Sequence, residues 1–220
     1  GDDYIFASLG NDTIRGGAGD DTMDFSTLNG LANFITVTLQ DSGSMTVVLD
    51  GLAVSYNIAE IEGVVGTSGN DTYTGNIEDN TIDGGAGDDT FYMLGGDDIV
   101  DGGAGTDTMD YSSATGAVSV NFYDSLVAGR GSVTVGSEVD YGGSIEIFYA
   151  SDYADTIYTG SSAGLIETLY AGAGNDTIRF HYTGGTLYAE DGNDNIYIGY
   201  ETRTTKNTTV DAGDGNDYIR

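Results

Sequence analysis

A large apolar residue recurs every ninth position along much of the chain, with a polar or small residue on either side. The beat is clearest in Gly16–Asp24 (GGAGDDTMD), Gly84–Tyr92 (GGAGDDTFY) and Gly102–Asp110 (GGAGTDTMD). Ala171–Arg179 (AGAGNDTIR) and Ala212–Arg220 (AGDGNDYIR) repeat it with Ala in front. When each unit is numbered so that the apolar residue is position eight, that position reads Ile5, Ile14, Met23, Tyr73, Ile82, Phe91, Val100, Met109, Ile157, Leu169, Ile178, Leu187, Ile196, Val210 and Ile219. Side chains alternate across a strand, so position eight points one way and positions seven and nine the other. The pattern predicts short strands stacked on one another, a core built from the position-eight row, and tight glycine turns between strands. It predicts an all-β fold that needs no helix.

A turn this short cannot hold itself. Burying one large apolar side chain returns about 2–3 kcal/mol, well short of the roughly 1.5 kcal/mol per residue lost in ordering the unit. Position six suggests what else contributes. It is Asp3, Asp12, Asp21, Asp71, Asp89, Asp98, Asp107, Asp155, Asp176, Asp194 or Asp217 in most units, and Asn80, Glu167, Gly185 or Thr208 in the rest. The chain carries 36 acidic against 6 basic residues, a net charge of −30, and would repel itself without counter-ions. A divalent cation held by Asp carboxylates and turn carbonyls meets both needs. There is no Cys, which excludes disulfides and thiolate metal sites. The acidity excludes nucleic acid as a partner, and no apolar run approaches the ~20 residues of a membrane-spanning helix.

Two longer stretches interrupt the beat, residues 25–65 and 111–149, leaving repeat segments 1–24, 66–110 and 150–220 in what reads as one solenoid. The interruptions resemble each other. Each follows Thr-Met-Asp-aromatic (Thr22–Phe25, Thr108–Tyr111) and then alternates, with Ile35, Val37 and Leu39 in the first and Val118, Val120 and Phe122 in the second. Each closes on an Ile-Glu pair read as part of a strand, Ile61-Glu62 and Ile145-Glu146. Such alternation predicts either widened rungs or hairpins that leave one edge.

These repeats resemble the RTX, or haemolysin-type calcium-binding, repeat of exported bacterial proteins. The resemblance implies a parallel β-roll, two units per turn, with calcium between loops on the same side. Carried over, the position-six side chains supply carboxylate or amide oxygen, and the glycine-rich loops, at Gly19, Gly87, Gly105, Gly174, Gly192 and Gly215, supply carbonyls. Candidate shared sites pair Asp3 with Asp21, Asp71 with Asp89, Asp89 with Asp107, Asn80 with Asp98, Asp155 with Asp176, Asp176 with Asp194, and Asp194 with Asp217. That implies several calcium ions, about seven or more, on oxygen-only ligands of the kind calcium prefers.

Other chemistries fail on spacing. The best EF-hand-like run starts at Asp191 and offers Ile196 and Thr202 where Gly and Glu are required. His181 is the one histidine and has no zinc-site partner or Gly-x-Ser-x-Gly motif beside it. The chain therefore reads as no enzyme. It reads as a calcium-dependent structural segment of a secreted or cell-surface protein, such as a surface layer, adhesin or filament. The alternatives are a calcium-triggered folding and export module of a secreted enzyme or toxin, or a glycan-binding module suggested by outward Tyr158, Tyr170, Tyr188 and Tyr197. In the last segment one side carries Glu167, Gly185 and Thr208 in place of Asp, and collects His181, Tyr182, Tyr200, Arg203 and Lys206. These few cations on an acidic surface suggest an edge for self-association or for a cell-surface glycan.

Overall fold

A computed structural model describes the chain apart from residues 41–43, 51–55, 123–129, 160–165, 181–184 and 200–206 and the side chain of Arg130. The suggested partner edge of His181, Tyr182, Tyr200, Arg203 and Lys206 lies outside the described residues. The chain forms two compact units, Gly1–Asp107 and Thr108–Arg220. The protein is all-β, a parallel β-roll. Among the described residues the one helical element is a 3-10 turn, Ser26–Leu28, and no helix is long and apolar enough to cross a membrane.

The first unit contains β1 (Tyr4–Phe6), β2 (Thr13–Arg15), β3 (Thr22–Asp24), β4 (Ile35–Gln40), β5 (Ser44–Leu49), β6 (Asn57–Ala59), β7 (Gly63–Val65), β8 (Thr72–Thr74), β9 (Thr81–Asp83), β10 (Thr90–Tyr92) and β11 (Ile99–Asp101). Successive repeat strands fall in alternate sheets. One sheet runs β1-β3-β7-β9-β11 and the other β2-β6-β5-β4-β8-β10. Like positions meet across the parallel pairs, with Ile5 beside Met23, Ile82 beside Val100, and Tyr73 beside Phe91. The middle residue of each three-residue strand points inward: Met23, Tyr73, Phe91 and Val100 are fully buried, and the Tyr73 and Phe91 rings stack 5.1 Å apart. Val64 fills the same slot between Met23 and Ile82, so the core row continues through the rung that ends the interruption.

The interruption itself is a hairpin wedged into one sheet. β5 runs antiparallel to both β4 and β6, β6 pairs parallel with β2, and β4 pairs parallel with β8. Both outer strands of the insertion are thus joined to repeat strands, so it leaves no open edge. Ile61-Glu62 is not a strand but a corner between β6 and β7, entered through Glu60 at φ 59°. The buried Ile61 plugs the core there, and the left-handed Glu60 turns the chain within three residues.

The second unit contains β12 (Thr108–Asp110), β13 (Val118–Asn121), β14 (Arg130–Val135), β15 (Glu138–Gly143), β16 (Ile147–Tyr149), β17 (Thr156–Tyr158), β18 (Thr168–Tyr170), β19 (Thr177–Phe180), β20 (Thr186–Tyr188), β21 (Asn195–Ile198), β22 (Thr209–Asp211) and β23 (Tyr218–Ile219). One sheet includes β15-β14-β13-β17-β19-β21-β23 and the other β12-β16-β18-β20-β22. The antiparallel insertion is β13–β14–β15, with β13 parallel to β17. The corner recurs too: Ser144 at φ 52° leads into the buried Ile145 and the half-buried Glu146, so this second Ile-Glu pair is also a turn.

Candidate metal centre

Each loop between strands supplies positions one to six, and loops two units apart lie on one another. The position-six residues of stacked loops are joined directly, the backbone N–H of one donating to the side-chain oxygen of the next. Asp3 N–H donates to Asp21 Oδ1 (2.7 Å) and Asn80 N–H to Asp98 Oδ1 (2.8 Å). On the other side Asp71 N–H donates to Asp89 (2.7 Å) and Asp89 N–H to Asp107 (2.8 Å). In the second unit Asp155 reaches Asp176 (2.8 Å), Asp176 reaches Asp194 (2.8 Å) and Asp194 reaches Asp217 (3.0 Å). Asp12 takes no place in these pairs; its Oδ2 accepts from Ser8 Oγ. The loops of Glu167, Gly185 and Thr208 include residues outside the described set.

The rows extend into the insertions, which the nine-residue count does not reach. Asp21 N–H donates to Glu62 Oε2 (2.9 Å), so the corner glutamate occupies a position-six place. Ile35 N–H, at the start of β4, donates to Asp71 Oδ1 (2.8 Å), and Val118 N–H, at the start of β13, does the same for Asp155 (2.7 Å). A second, exposed ladder runs along position five in the opposite sense: Asp88 N–H donates to Asn70, Asp97 N–H to Asp79, Asn193 N–H to Asn175 and Asn216 N–H to Asn193, all at 2.8–2.9 Å. The Asn-Asp and Asp-Asp doublets in the sequence were the available signal for it.

Several loops in these rows leave one carboxylate oxygen over. Oδ2 of Asp21, Asp89, Asp176 and Asp194 is buried and has no hydrogen-bond partner. Burying a charged oxygen uncompensated is expensive, so the group must gain a cation or a proton. Burial, reinforced by neighbouring carboxylates, pushes Asp89 and Asp176 up to about 8 against the downward pull of one backbone N–H each. Around these oxygens the loops offer carbonyls. A Cβ built on Gly85 or Gly87 would lie 2.4 Å from the carbonyl oxygen of Thr67 or Gly69 in the loop beneath, so these carbonyls point along the stack into the space between loops. Among the described residues no three carboxylate or imidazole groups converge on one point. A metal here would be held by a few carboxylate oxygens completed by carbonyls, an all-oxygen set matching calcium's need for six to eight ligands at ~2.3–2.6 Å.

Two expectations follow. Gly87 sits at φ 117° against that carbonyl, so Gly87→Ala combines a left-handed alanine with a backbone clash and should cost about 2–3 kcal/mol, read as a lower thermal midpoint in saturating calcium. The second concerns pH. In the metal-free fold Asp89 and Asp176 titrate near 8, against an ordinary value of 3.8. Raised folded values make this contribution to stability fully present below about pH 4 and progressively lost as pH rises through about 8. In chelator, acidification from pH 8 toward 4 should therefore restore β-sheet circular dichroism, and a further loss of signal on acidification would contradict it.

Comparison with known families matches the RTX calcium-binding nonapeptide repeat, in four copies, at residues 1–29, 65–92, 94–113, 164–179 and 204–220. This chain belongs to that family. No curated protein matches it. The matched stretches of the RTX repeat skip β4–β6 and β13–β15 and also the loops ending at Asp155 and Asp194, which geometry nevertheless places in the same carboxylate row. RTX repeats bind calcium, and the buried orphan oxygens of these loops are of the chemical type calcium takes.

Proposed function

We propose that this chain is a calcium-dependent structural repeat segment of a secreted or cell-surface protein, acting as a scaffold in a surface layer, adhesin or extracellular filament. The observation that carries the reading is the row of position-six carboxylates joined loop to loop, in which Asp21, Asp89, Asp176 and Asp194 each leave a buried oxygen for metal. Calcium supplies charge neutralisation and cross-links adjacent loops. The chain's residues hold the loops in register so that ligands from successive rungs meet. Low external affinity, typically ~10⁻⁴–10⁻³ M for extracellular modules, would keep the chain loose before export and fold it outside.

The outward tyrosines support the scaffold over the glycan reading. Tyr149, Tyr170 and Tyr188 stack face to face at 4.3 and 4.8 Å, and the Arg179 guanidinium lies 5.2 Å from the Tyr158 ring and 5.7 Å from the Tyr197 ring. Ring faces engaged with one another are not offered to a sugar. Electron microscopy of the purified protein across a calcium titration tests the proposal. Calcium-induced sheets or filaments are expected. Monodisperse particles at all calcium concentrations would overturn assembly and favour the export-module reading.

A further inference from the structure

The loops differ in how they treat their carboxylate, and position two is where they differ. In the loops ending at Asp21, Asp89, Asp107, Asp176 and Asp217, position two is Gly17, Gly85, Gly103, Gly172 or Gly213, at φ 113°, 98°, 96°, 81° and 74°. Glu190 takes the same left-handed conformation, φ 69°, in the loop ending at Asp194. Where such a loop's carboxylate has an orphaned buried Oδ2, as in Asp21, Asp89, Asp176 and Asp194, nothing in the loop donates to it.

The first loop after each hairpin is built otherwise. Position two is Thr67 in one and Ser151 in the other, and neither is left-handed. Thr67 N–H donates to Asp71 Oδ2 (2.7 Å), its hydroxyl reaches Oδ1 (2.9 Å), Ile35 N–H donates to Oδ1 (2.8 Å), and Tyr73 O–H donates to Oδ2 (3.1 Å). Four donors occupy the roughly four acceptor positions of a carboxylate. In the second unit Ser151 N–H donates to Asp155 Oδ2 (2.9 Å), its hydroxyl to Oδ1 (2.7 Å), and Val118 N–H to Oδ1 (2.7 Å). The hydroxyl also accepts from the loop's own backbone, from Gly69 N–H (3.1 Å) and Tyr153 N–H (3.3 Å). The loop ending at Asp98, with Leu94 at position two, is of neither kind.

We propose that Thr67 and Ser151 close their loops with hydrogen bonds in place of calcium, so that the rung following each hairpin is metal-independent and Asp71 and Asp155 are not calcium ligands. The proposal rests on the calcium-dependent reading above and sharpens it: position two decides whether a loop's carboxylate faces a metal or is satisfied by the chain. A metal cannot approach Asp71 without displacing donors already in place. The orphaned Oδ2 of Asp89 lies in the next loop of the stack, so the calcium row starts one rung further on. The two rungs stand at equivalent places, each with a hairpin strand donating from below, which gives each unit a preformed floor for its row.

Ion counting by native mass spectrometry in saturating calcium tests this. Thr67→Gly and Ser151→Gly should each bind one ion more than the parent, because a left-handed glycine frees the carboxylate. Thr67→Val, which removes only the hydroxyl, should keep the parent count and lower the thermal midpoint. An unchanged or reduced count in both glycine variants overturns the proposal, as does loss of an ion in Thr67→Val, which would make the hydroxyl a ligand. The parent protein provides a readout that needs no variant: lanthanide-soaked crystals should show anomalous density against Asp89 and Asp176 and none within ~2.6 Å of the Asp71 or Asp155 carboxylate. Density there overturns the proposal. If the parent binds no calcium at all, the calcium reading itself fails, and that result is separate from any of these.

Discussion

Chelating calcium at neutral pH is expected to abolish the β-sheet circular dichroism of this protein, and readdition at ~10⁻⁴–10⁻³ M should restore it. Each repeat strand of three residues buries one position-eight side chain, such as Tyr73 or Phe91, and little else. Against that small core stand 36 acids and 6 bases, with Asp21, Asp89, Asp176 and Asp194 each holding a buried oxygen that no hydrogen bond reaches. A site at a hundredfold excess of calcium over its Kd adds about 2.7 kcal/mol, and domains hold only about 5–15 kcal/mol in total. Two or three sites in a row therefore supply about 5–8 kcal/mol, comparable with the whole stability of a marginal domain. The hydroxyl-closed rungs at Asp71 and Asp155 do not compensate, because a single closed loop buries no more core than any other. An unchanged β spectrum in chelator at pH 7–8 would contradict this account.

The repeat was legible because its physics is local. A strand of three with one inward residue needs only the x-U-x pattern, and parallel stacking in register follows once the same pattern recurs, so Met23, Tyr73, Phe91 and Ile178 could be assigned to the core before any fold was known. The insertions were less legible. Alternation at Ile35–Leu39 and Val118–Phe122 marked strands, but their partners β8 and β17 come from beyond the insertion, and nothing local dictates a parallel pair at one edge of an antiparallel hairpin. Ile61-Glu62 and Ile145-Glu146 looked strand-like because Ile is buried in corners as well as in strands. What decides between them is the left-handed Glu60 and Ser144, residue types that carry no glycine signal.

In the metal centre, the pairing of position-six residues followed from the RTX resemblance, which sets two units per turn and so says which loops stack. Three features did not. Glu62 enters the row from a corner shorter than a full loop, and its extra methylene lets Oε2 reach Asp21 N–H. The position-five ladder was written in the doublets Asn70-Asp71, Asp88-Asp89 and Asn193-Asp194, but an exposed Asp or Asn beside a turn is so common that its loop-to-loop bond needs coordinates to be seen. The division between metal-facing and hydroxyl-closed loops rests on Thr67 and Ser151, residues that in sequence look like mild decay of a glycine motif and in three dimensions satisfy a carboxylate.

Asp89→Ala is expected to be the most damaging single change in the first unit. Asp89 lies between Asp71 and Asp107, its Oδ1 accepts the Asp71 N–H, and its own N–H donates to Asp107. The calcium-facing oxygen lies between two loops, so its loss should remove the ion facing the Thr67 and Gly69 carbonyls and weaken the one shared with Asp107. Two sites at about 2.7 kcal/mol each, plus about 1–3 kcal/mol for a buried Asp71 N–H left without an acceptor, come to about 6 kcal/mol or more. Such a loss moves the calcium midpoint of folding upward by well over ~10-fold, since 1.4 kcal/mol is already a factor of ten. The adjacent Asp88→Ala is the control. It removes an exposed carboxylate whose Oδ1 accepts Thr106 N–H at 2.9 Å, a bond that water can replace, and should cost about 0.5–1 kcal/mol with the ion count unchanged. Calcium-titrated circular dichroism with calorimetric ion counting compares the two. Equal shifts for Asp88→Ala and Asp89→Ala would mean that the carboxylate row does not hold the metal and that the loops stack for another reason.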